Sequence, residues 1–461
     1  MISSKIEVVP VILAAGQGKR MRSTYPKVLH PLAEKPLIDH VLSAVGELGI
    51  TDPAVVIGHG ADRLEEHLRG RAVRIVYQHE QLGTGHAVAQ ALTLIPDEAV
   101  VLVLYGDVPL VTSGTMASLV ALASEGALAW LSVHVDDPSG FGRVLRDDTG
   151  AVTAIVEERD ATPDQRGICE VNTGILAVRS SHLKRWIAAL GCDNAQGEYY
   201  LTDCLALAVA EGVPVHMQQS MDPDEVIGIN DRRQLAEAER TLNRQRVAAL
   251  MSHGVTVRDP ARLDIRGELV VGQDVEIDVG VILQGHISLG SGCYIGPYSI
   301  LTDCDVAEGA RIEAHSVIEQ AQIGAGCRVG PFARLRPGTK LAEQAHVGNF
   351  VEVKNAKVGP GSKINHLSYI GDATLGADVN VGAGTITCNY DGANKHHTRI
   401  GDQAFIGSNT AMVAPVEVGQ NATIGAGSVI TRDAPAGKLT LARARQATLD
   451  GWKRPEKPLK E

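Results

Sequence analysis

From Val271 to Ile430 an aliphatic residue returns every six positions, a spacing that neither a 3.6-residue helix nor an alternating strand produces. Val271, Ile277, Leu283, Leu289, Ile295 and Leu301 form one unbroken series; Ile323, Val329, Leu335, Leu341 and Val347 form a second; Ile400, Ile406, Met412, Val418, Ile424 and Ile430 form a third. The chain is 44% apolar overall, too little for three such runs to arise from composition alone. Glycine often follows the aliphatic residue, as at Gly272, Gly290, Gly324, Gly348 and Gly407, which predicts a sharp corner needing a permissive backbone. The implied unit is short strand, corner, short strand. Stacked units bury a continuous aliphatic column that no single unit buries alone, so the segment is expected to be a parallel β-helix. A β-sandwich fits poorly, because its turns recur about every 8 to 12 residues. The phase slips once after Leu301 and breaks between Thr387 and Ile400, where an insertion is expected to form a surface loop.

Length and composition narrow the class. At 461 residues the chain is long enough for two or three domains. Acidic residues outnumber basic ones by 54 to 43, and the net charge of -11 argues against a nucleic-acid partner. Seven scattered cysteines without a CxxC pair suggest reduced thiols in a cytoplasmic protein, and no apolar run reaches membrane-spanning length. Neither export nor membrane insertion is expected.

The N-terminal half alternates strand and helix patterns. Ile6 to Leu13 reads as a buried strand, followed by Ala14-Ala15-Gly16-Gln17-Gly18 and the basic run Lys19-Arg20-Met21-Arg22. Small residues would let backbone N–H groups approach an anion that the basic side chains beyond neutralise, although the glycine pair alone reads equally well as a plain tight turn. Ala54 to Ile57, Val73 to Tyr77 and Val100 to Leu104 read as further strands of a mostly parallel, Rossmann-like α/β sheet. The last ends in Tyr105-Gly106-Asp107, placing a carboxylate at the carboxyl edge where ligands of open α/β sheets bind. Asp107 is therefore a metal-ligand candidate, although alone it reads as a loop-capping aspartate.

The string LAAGQGKRM, with Pro26-Lys27 after it, resembles the signature of sugar-1-phosphate nucleotidyltransferases, with Lys19 where that family usually has Thr. Gln78, Gly83-Thr84-Gly85-His86-Ala87, Tyr105-Gly106-Asp107, Phe141-Gly142-Arg143, Ile155-Val156-Glu157-Glu158, Val171-Asn172-Thr173-Gly174 and Gly228-Ile229-Asn230 are similar to the same family. The resemblance implies that Leu13, Ala14, Ala15, Gly16, Gln78, Gly83 and Thr84 hold the uridine nucleotide, with Tyr105 and Gly106 beside them. It further implies that Gly142, Glu157 and Asn172 hold the amino sugar and that Asp107 with Asn230 holds Mg²⁺. Nucleotidyl transfer is an in-line attack by a sugar-phosphate oxygen on the α-phosphorus of UTP, so positioning and charge neutralisation suffice. One carboxylate and one amide oxygen suit Mg²⁺, and Arg20 and Lys27 would steady the developing pyrophosphate. Glu198 to Asp203 (EYYLTD) is a further family-like string that reads equally well as domain packing.

Asp231 to Ser252 contains no Pro or Gly and reads as a long linker helix with Asp231 as its cap, separating residues 1–230 from 253–461. In the repeat half, the strings RLRPG, HVGNFVEVKN, NHLSYIGD and GAGTITCNYDGANK resemble the acetyltransferase half of bifunctional bacterial enzymes that make UDP-N-acetylglucosamine. The resemblance spans nearly the whole chain. It implies a left-handed β-helix of hexapeptide repeats, a homotrimer, and acetyl-CoA and UTP as co-substrates. Carried over by position, Arg336 and Lys354 would grip the sugar phosphate, Tyr369 and Asn380 would orient the sugar, and His366 would be the general base. Ala383, Asn389, Tyr390, Lys395, Ser408, Ala426 and Arg443 would contact or flank acetyl-CoA. Attack on the thioester needs a neutral amine, so a proton must be accepted, and a histidine is abundantly neutral near neutral pH. Read without the family, Arg336 and Lys354 are outward-facing charges of the kind usually just solvated, and His366 reads more readily as a surface imidazole than as a catalyst. The tail Gly451 to Glu461 reads as extended or loosely attached.

Two rival readings follow from the same residues. One is a single-activity nucleotidyltransferase whose β-helix only oligomerises; the inserted NYDGANK segment and the pairing of Arg336 with Lys354 argue against it. The other is a non-catalytic scaffold subunit, disfavoured because Arg20, Lys27, Asp107 and Asn230 occur together.

Overall fold

The computed structural model describes residues 6–455 and 457, so the extended-tail expectation falls partly outside the described residues. The chain divides into two compact units, Met1–Leu242 and Asn243–Glu461.

The first unit is built on a sheet whose strands are β1 (Val8–Ala14), β2 (Ala54–Ile57), β3 (Arg74–Tyr77), β4 (Val100–Tyr105), β5 (Leu128–His134), β6 (Arg143–Arg146), β7 (Val152–Val156), β8 (Glu170–Arg179) and β9 (Val215–Ser220). The main order is β9-β5-β8-β4-β1-β2-β3, with β6 and β7 forming a hairpin on β8. All neighbours in that main order are parallel except β8, which runs antiparallel to β4 and β5. β1 is apolar at nearly every position because both faces of the sheet are covered. Val9, Val11 and Leu13 enter one buried cluster; Ile12 and Ala14 enter another. The loops after β1 and β4 consequently emerge together at the carboxyl edge, and Gly106 N–H donates to Leu13 O over 2.9 Å.

A helix spans Arg232–Ser252. Asp231 caps it, its Oδ1 accepting from Gln234 N–H at 2.9 Å. Leu235, Ala238 and Leu242 pack with Leu32, Leu37 and Ile229 of the first unit, and Val247 and Leu250 belong to the core of the second.

The second unit is a left-handed parallel β-helix with three faces. One face stacks Glu276, Tyr294, Arg311, Arg328, His346, Lys363, Asn380, Phe405 and Thr423 in successive coils. The aliphatic column is continuous and buried: Ile277, Ile295, Ile312, Val329, Val347, Ile364, Val381 and Ile406 follow one another on this face, each at most 3% exposed. Truncating one of them, such as Ile312, to Ala would cost about 2–5 kcal/mol.

Two sequence expectations are corrected here. The phase slips four times before the insertion, not once. The buried positions step by five at Leu301 to Val306, Ile318 to Ile323, Val353 to Val358 and Ile370 to Leu375. Each short step turns on one left-handed residue, Asp303, Gln320, Asn355 or Asp372, with φ of 45 to 50°. A polar residue with positive φ closes that corner in one residue fewer, and aspartate and asparagine tolerate the conformation best. The second correction concerns the glycines that follow the aliphatic positions. Most of them have ordinary negative φ; what they supply is close approach between coils. A Cβ on Gly348 would lie 2.0 Å from Asn365 O, and one on Gly407 would lie 2.5 Å from Ala426 N.

Candidate active sites

In the first unit, Leu13, Ala14, Ala15, Gly16, Lys27, Gln78, Gly83, Thr84, Tyr105 and Asp107 line one cavity of about 290 Å³ together with Val28, Gln81, Ala87 and Glu198. An adjoining cavity of about 430 Å³ shares Gly16, Lys27, Gln81 and Glu198 and adds Gln17, Gly18, Lys19, Arg20 and Asn230. Residues from distant parts of the chain therefore meet at the carboxyl edge of β1 and β4.

The loop at Gly83 is backbone-determined. Gly83 has φ of 109°, and a Cβ there would fall 2.6 Å from Tyr199 O. Gln78 is buried and donates to Gly83 O at 3.1 Å, while Thr84 Oγ1 accepts from Leu201 N–H at 3.1 Å. Gly85 N–H donates to Tyr199 O at 2.8 Å, so the EYYLTD string ties this loop down and also delivers Glu198 to both cavities.

At the cavity mouth the Lys27 ammonium donates to Asp107 Oδ2 and, at 3.0 Å, to Asn230 Oδ1. Asn230 Nδ2 donates to Gly228 O at 3.2 Å, which turns Oδ1 toward the same point as the carboxylate. Two hard oxygens thus converge on one cation, the donor set that a magnesium ion takes.

Gly142, Glu157 and Asn172 also come together. A Cβ on Gly142 would lie 3.5 Å from both Asn172 Cβ and Glu157 Oε1, and Asn172 N–H donates to Gly142 O at 2.8 Å. Burial pushes the Glu157 carboxyl up from its ordinary value, against a 3.1 Å hydrogen bond from Thr202 Oγ1. Burial, then the charges of Glu157 and Asp107, hold the Tyr105 phenol well above its ordinary range, so it is a neutral donor.

In the second unit the expected residues fall into two groups. The first is a polar cluster. Arg336 pairs with Glu352 at 2.8 Å and Lys354 lies 3.7 Å from Asp372. Asp372 also accepts from Asn355 Nδ2 at 2.6 Å and from Asn389 Nδ2. Burial raises the Asp372 carboxyl, but these hydrogen bonds and the charges of Lys354 and Lys395 outweigh it and hold it low. Tyr369 reaches the same place, since a Cβ on Gly371 would meet both its hydroxyl and Asn389 Nδ2. Lys395 is brought in by the insertion, whose base is closed by a bridge between Tyr390 and Lys395. Asp391 holds the insertion's turn by accepting from Asn394 N–H at 2.6 Å, from His396 Nε2 at 2.7 Å and from Ala393 N–H at 2.8 Å.

The second group is a column at one corner of the β-helix. Leu367 N–H donates to Asn349 O, Gly384 N–H to His366 O, Asn409 N–H to Ala383 O and Gly427 N–H to Ser408 O. These rungs align Asn349, His366, Ala383, Ser408 and Ala426 in successive coils. Arg443 Nη1 donates to Ala426 O at 2.8 Å at the far end. His366 is exposed, with Nδ1 2.9 Å from Asn349 Oδ1. An amide oxygen only accepts, so this contact puts the proton on Nδ1 and leaves Nε2 as the basic nitrogen. Asn380 lies on the strand entering this corner, in register with Lys363.

Sequence reasoning missed Gln81 and Glu198 at the first site, and Glu352, Asp372 and Asn349 at the second. All but Gln81 lie inside strings already singled out; Gln81 sits between motifs and carried no signal.

Residues 10–161 match the MobA-like NTP transferase domain, 265–370 the GMPPB C-terminal domain, and 397–432 the hexapeptide repeat of succinyl-transferase. Bifunctional protein GlmU of Marinobacter nauticus is 57% identical over 447 residues, covering 97% of this chain and 98% of that one. Bifunctional protein GlmU of Methylococcus capsulatus is 57% identical over 457 residues, 99% of each chain. The same-named protein of Ralstonia nicotianae is 54% identical over 451 residues, 98% of this chain and 99% of that one.

Proposed function

The chain belongs to the GlmU family of bifunctional proteins, and from that premise we propose how its two sites divide the work. It is an acetyltransferase and a uridylyltransferase in one polypeptide. The second unit acetylates glucosamine-1-phosphate with acetyl-CoA; the first transfers UMP from UTP to the N-acetylglucosamine-1-phosphate so formed, giving UDP-N-acetylglucosamine and pyrophosphate. The observation that carries the first reaction is the convergence of Asp107 and Asn230 on one cationic point beside the Ala14–Gly18 loop.

Uridylyl transfer needs no covalent nucleophile. Backbone N–H groups of the loop after β1 and the loop at Gly83 hold the nucleotide, and Gly142, Glu157 and Asn172 hold the sugar so that its phosphate oxygen lies in line with the α-phosphorus. Asp107 and Asn230 would hold Mg²⁺, which neutralises phosphoryl charge when bound. Lys27 and Arg20 then balance the negative charge that grows on the departing pyrophosphate.

In acetyl transfer the sugar amine attacks the thioester carbon, His366 Nε2 takes the amine proton, and the C–S bond breaks to release CoA, with Asn349 fixing the histidine tautomer. Arg336 and Lys354 bind the sugar phosphate, with Tyr369 and Asn380 orienting the ring. The Ala383, Ser408 and Ala426 column, with Asn389, Tyr390, Lys395 and Arg443, receives acetyl-CoA. Small residues leading away from His366 support this reading, because a long thin cofactor needs backbone-close access.

The β-helix assembles as a homotrimer in the cytoplasm on this reading. Support comes from an exposed column one residue beyond the Asn349–His366 column at the same corner: Tyr298, His315, Phe332 and Phe350 stack at centroid spacings of 4.8 to 5.3 Å, and Leu367 continues the column. Each of the five has φ of 47 to 58°, a strained conformation for bulky side chains. Exposed rings held at that cost suit burial against another copy. No helix among the described residues is long and apolar enough to cross a membrane. Pyrophosphate release from UTP and N-acetylglucosamine-1-phosphate, assayed beside CoA release from acetyl-CoA and glucosamine-1-phosphate, tests the division of labour.

A further inference from the structure

Trp130 lies on β5, fully buried, and its indole Nε1–H donates to Asn172 Oδ1 at 2.6 Å. Gly174 N–H donates to the same oxygen at 2.7 Å. The approach depends on a register shift between β8 and β5: Asn172 pairs with Ser132 and Leu176 with Trp130, so β8 carries two extra residues there. Gly174 permits the excursion with φ of 79°, and a Cβ on it would strike the Tyr105 ring. Irregularities of this kind re-aim side chains beside active sites.

An indole N–H and a backbone N–H only donate, so the atom they face must be the amide oxygen. Both are fixed, one by the buried ring and one by the main chain. The Asn172 amide therefore cannot rotate by half a turn without facing two donors with its own NH₂. Its Nδ2 has no protein acceptor among the described residues, and Asn172 borders Gly142 and Glu157. Glu157 supplies acceptor oxygens at the same place, one already taking a hydrogen bond from Thr202.

We propose that Trp130 is a positioning residue for sugar recognition: by locking Asn172 Oδ1 inward, it commits Nδ2 to donate to a carbonyl or hydroxyl oxygen of the bound sugar. This rests on the reading that Gly142, Glu157 and Asn172 hold the amino sugar. The site then offers one fixed donor and one acceptor, a polarity that suits a sugar bearing an acetamido carbonyl. A sugar with an ammonium group in that position presents a donor to Asn172 Nδ2 and loses that hydrogen bond.

The test measures uridylyl transfer by the full chain with varied sugar phosphate. Trp130→Phe removes the donor and keeps an aromatic ring. KM for N-acetylglucosamine-1-phosphate is expected to rise about three- to tenfold, the effect of freeing one hydrogen-bonded group, with KM for UTP and the acetyl-transfer rate unchanged. Discrimination against glucosamine-1-phosphate should fall with it. An unchanged sugar KM in Trp130→Phe alongside a raised one in Asn172→Ala overturns the role of Trp130 and leaves the sugar-site reading standing. An unchanged sugar KM in Asn172→Ala overturns the sugar-site reading itself. Should Trp130→Phe not fold, Asn172→Asp decides: its carboxylate accepts from Trp130 and Gly174 as the amide does but has no donor. The proposal requires a raised sugar KM in that variant, and a normal one contradicts it.

Discussion

Asp107 and Asn230 stand far apart in the chain, yet their side-chain oxygens accept from the same Lys27 ammonium. Asp107 follows β4 and Asn230 precedes the Arg232–Ser252 helix, so the fold of the whole first unit is needed to bring them together. The pair presents the oxygen chemistry of a divalent-cation site already organised around a positive charge.

Asp107→Ala and Asn230→Ala are each expected to lower uridylyl transfer at least about 100-fold while leaving acetyl transfer at its original rate, because phosphoryl charge develops only at the first site. Parallel steady-state assays of both reactions check this. Equal loss of both activities would contradict a two-site account.

Removing divalent cations with a chelator should stop uridylyl transfer and spare acetyl transfer, and adding Mg²⁺ back should restore the former. The acetyl-transfer cluster pairs its cations with carboxylates, Arg336 with Glu352 and Lys354 with Asp372, so on this reading its phosphate is gripped by side-chain cations.

His366→Ala is expected to lower kcat for acetyl transfer by roughly 10² to 10⁴, the usual range for loss of a general base. Asn349→Ala should give a smaller loss, because it frees the tautomer and keeps the ring. Near-normal acetyl transfer by His366→Ala across pH 6 to 9 would mean that the bound amine needs no protein base.

Lys395 lies beside Lys354, and this like-charged neighbour lowers its pKa from the ordinary lysine value. Lys395 therefore loses its charge at lower pH than an isolated lysine, and acetyl-CoA affinity should weaken correspondingly early on the alkaline side. Lys354→Gln removes the cause, so the alkaline limb of the acetyl-CoA binding profile should move to higher pH. An unmoved limb would show that Lys395 does not set it.

Phe332→Asp combined with Phe350→Asp should convert the protein to monomers in sedimentation velocity. Aspartate accepts left-handed φ well, so the coils should keep their corners while the apolar column is lost. A trimer that survives both changes would place the seam elsewhere on the β-helix.

The period-six column was legible because burial demands the same answer in every coil. The four five-residue steps were not, since a left-handed Asp303 or Asn355 leaves no mark in hydropathy. Asp107 was legible by its position after an apolar strand, whereas its sharing of Lys27 with Asn230 is purely tertiary. Trp130 reads as ordinary core in sequence; only the register shift at Asn172 reveals its hydrogen bond. The alignment of His366 with Ala383, Ser408 and Ala426 was hidden because the insertion makes the spacing between equivalent residues unequal.

The most direct measurement is one coupled reaction containing the purified chain, glucosamine-1-phosphate, acetyl-CoA, UTP and Mg²⁺, followed by chromatography of nucleotides and CoA. The account predicts UDP-N-acetylglucosamine with equimolar CoA and pyrophosphate, and no sugar nucleotide when acetyl-CoA is left out. Sugar nucleotide formed only when N-acetylglucosamine-1-phosphate is supplied ready-made, with no CoA released, would contradict it and leave the β-helix as an assembly module alone.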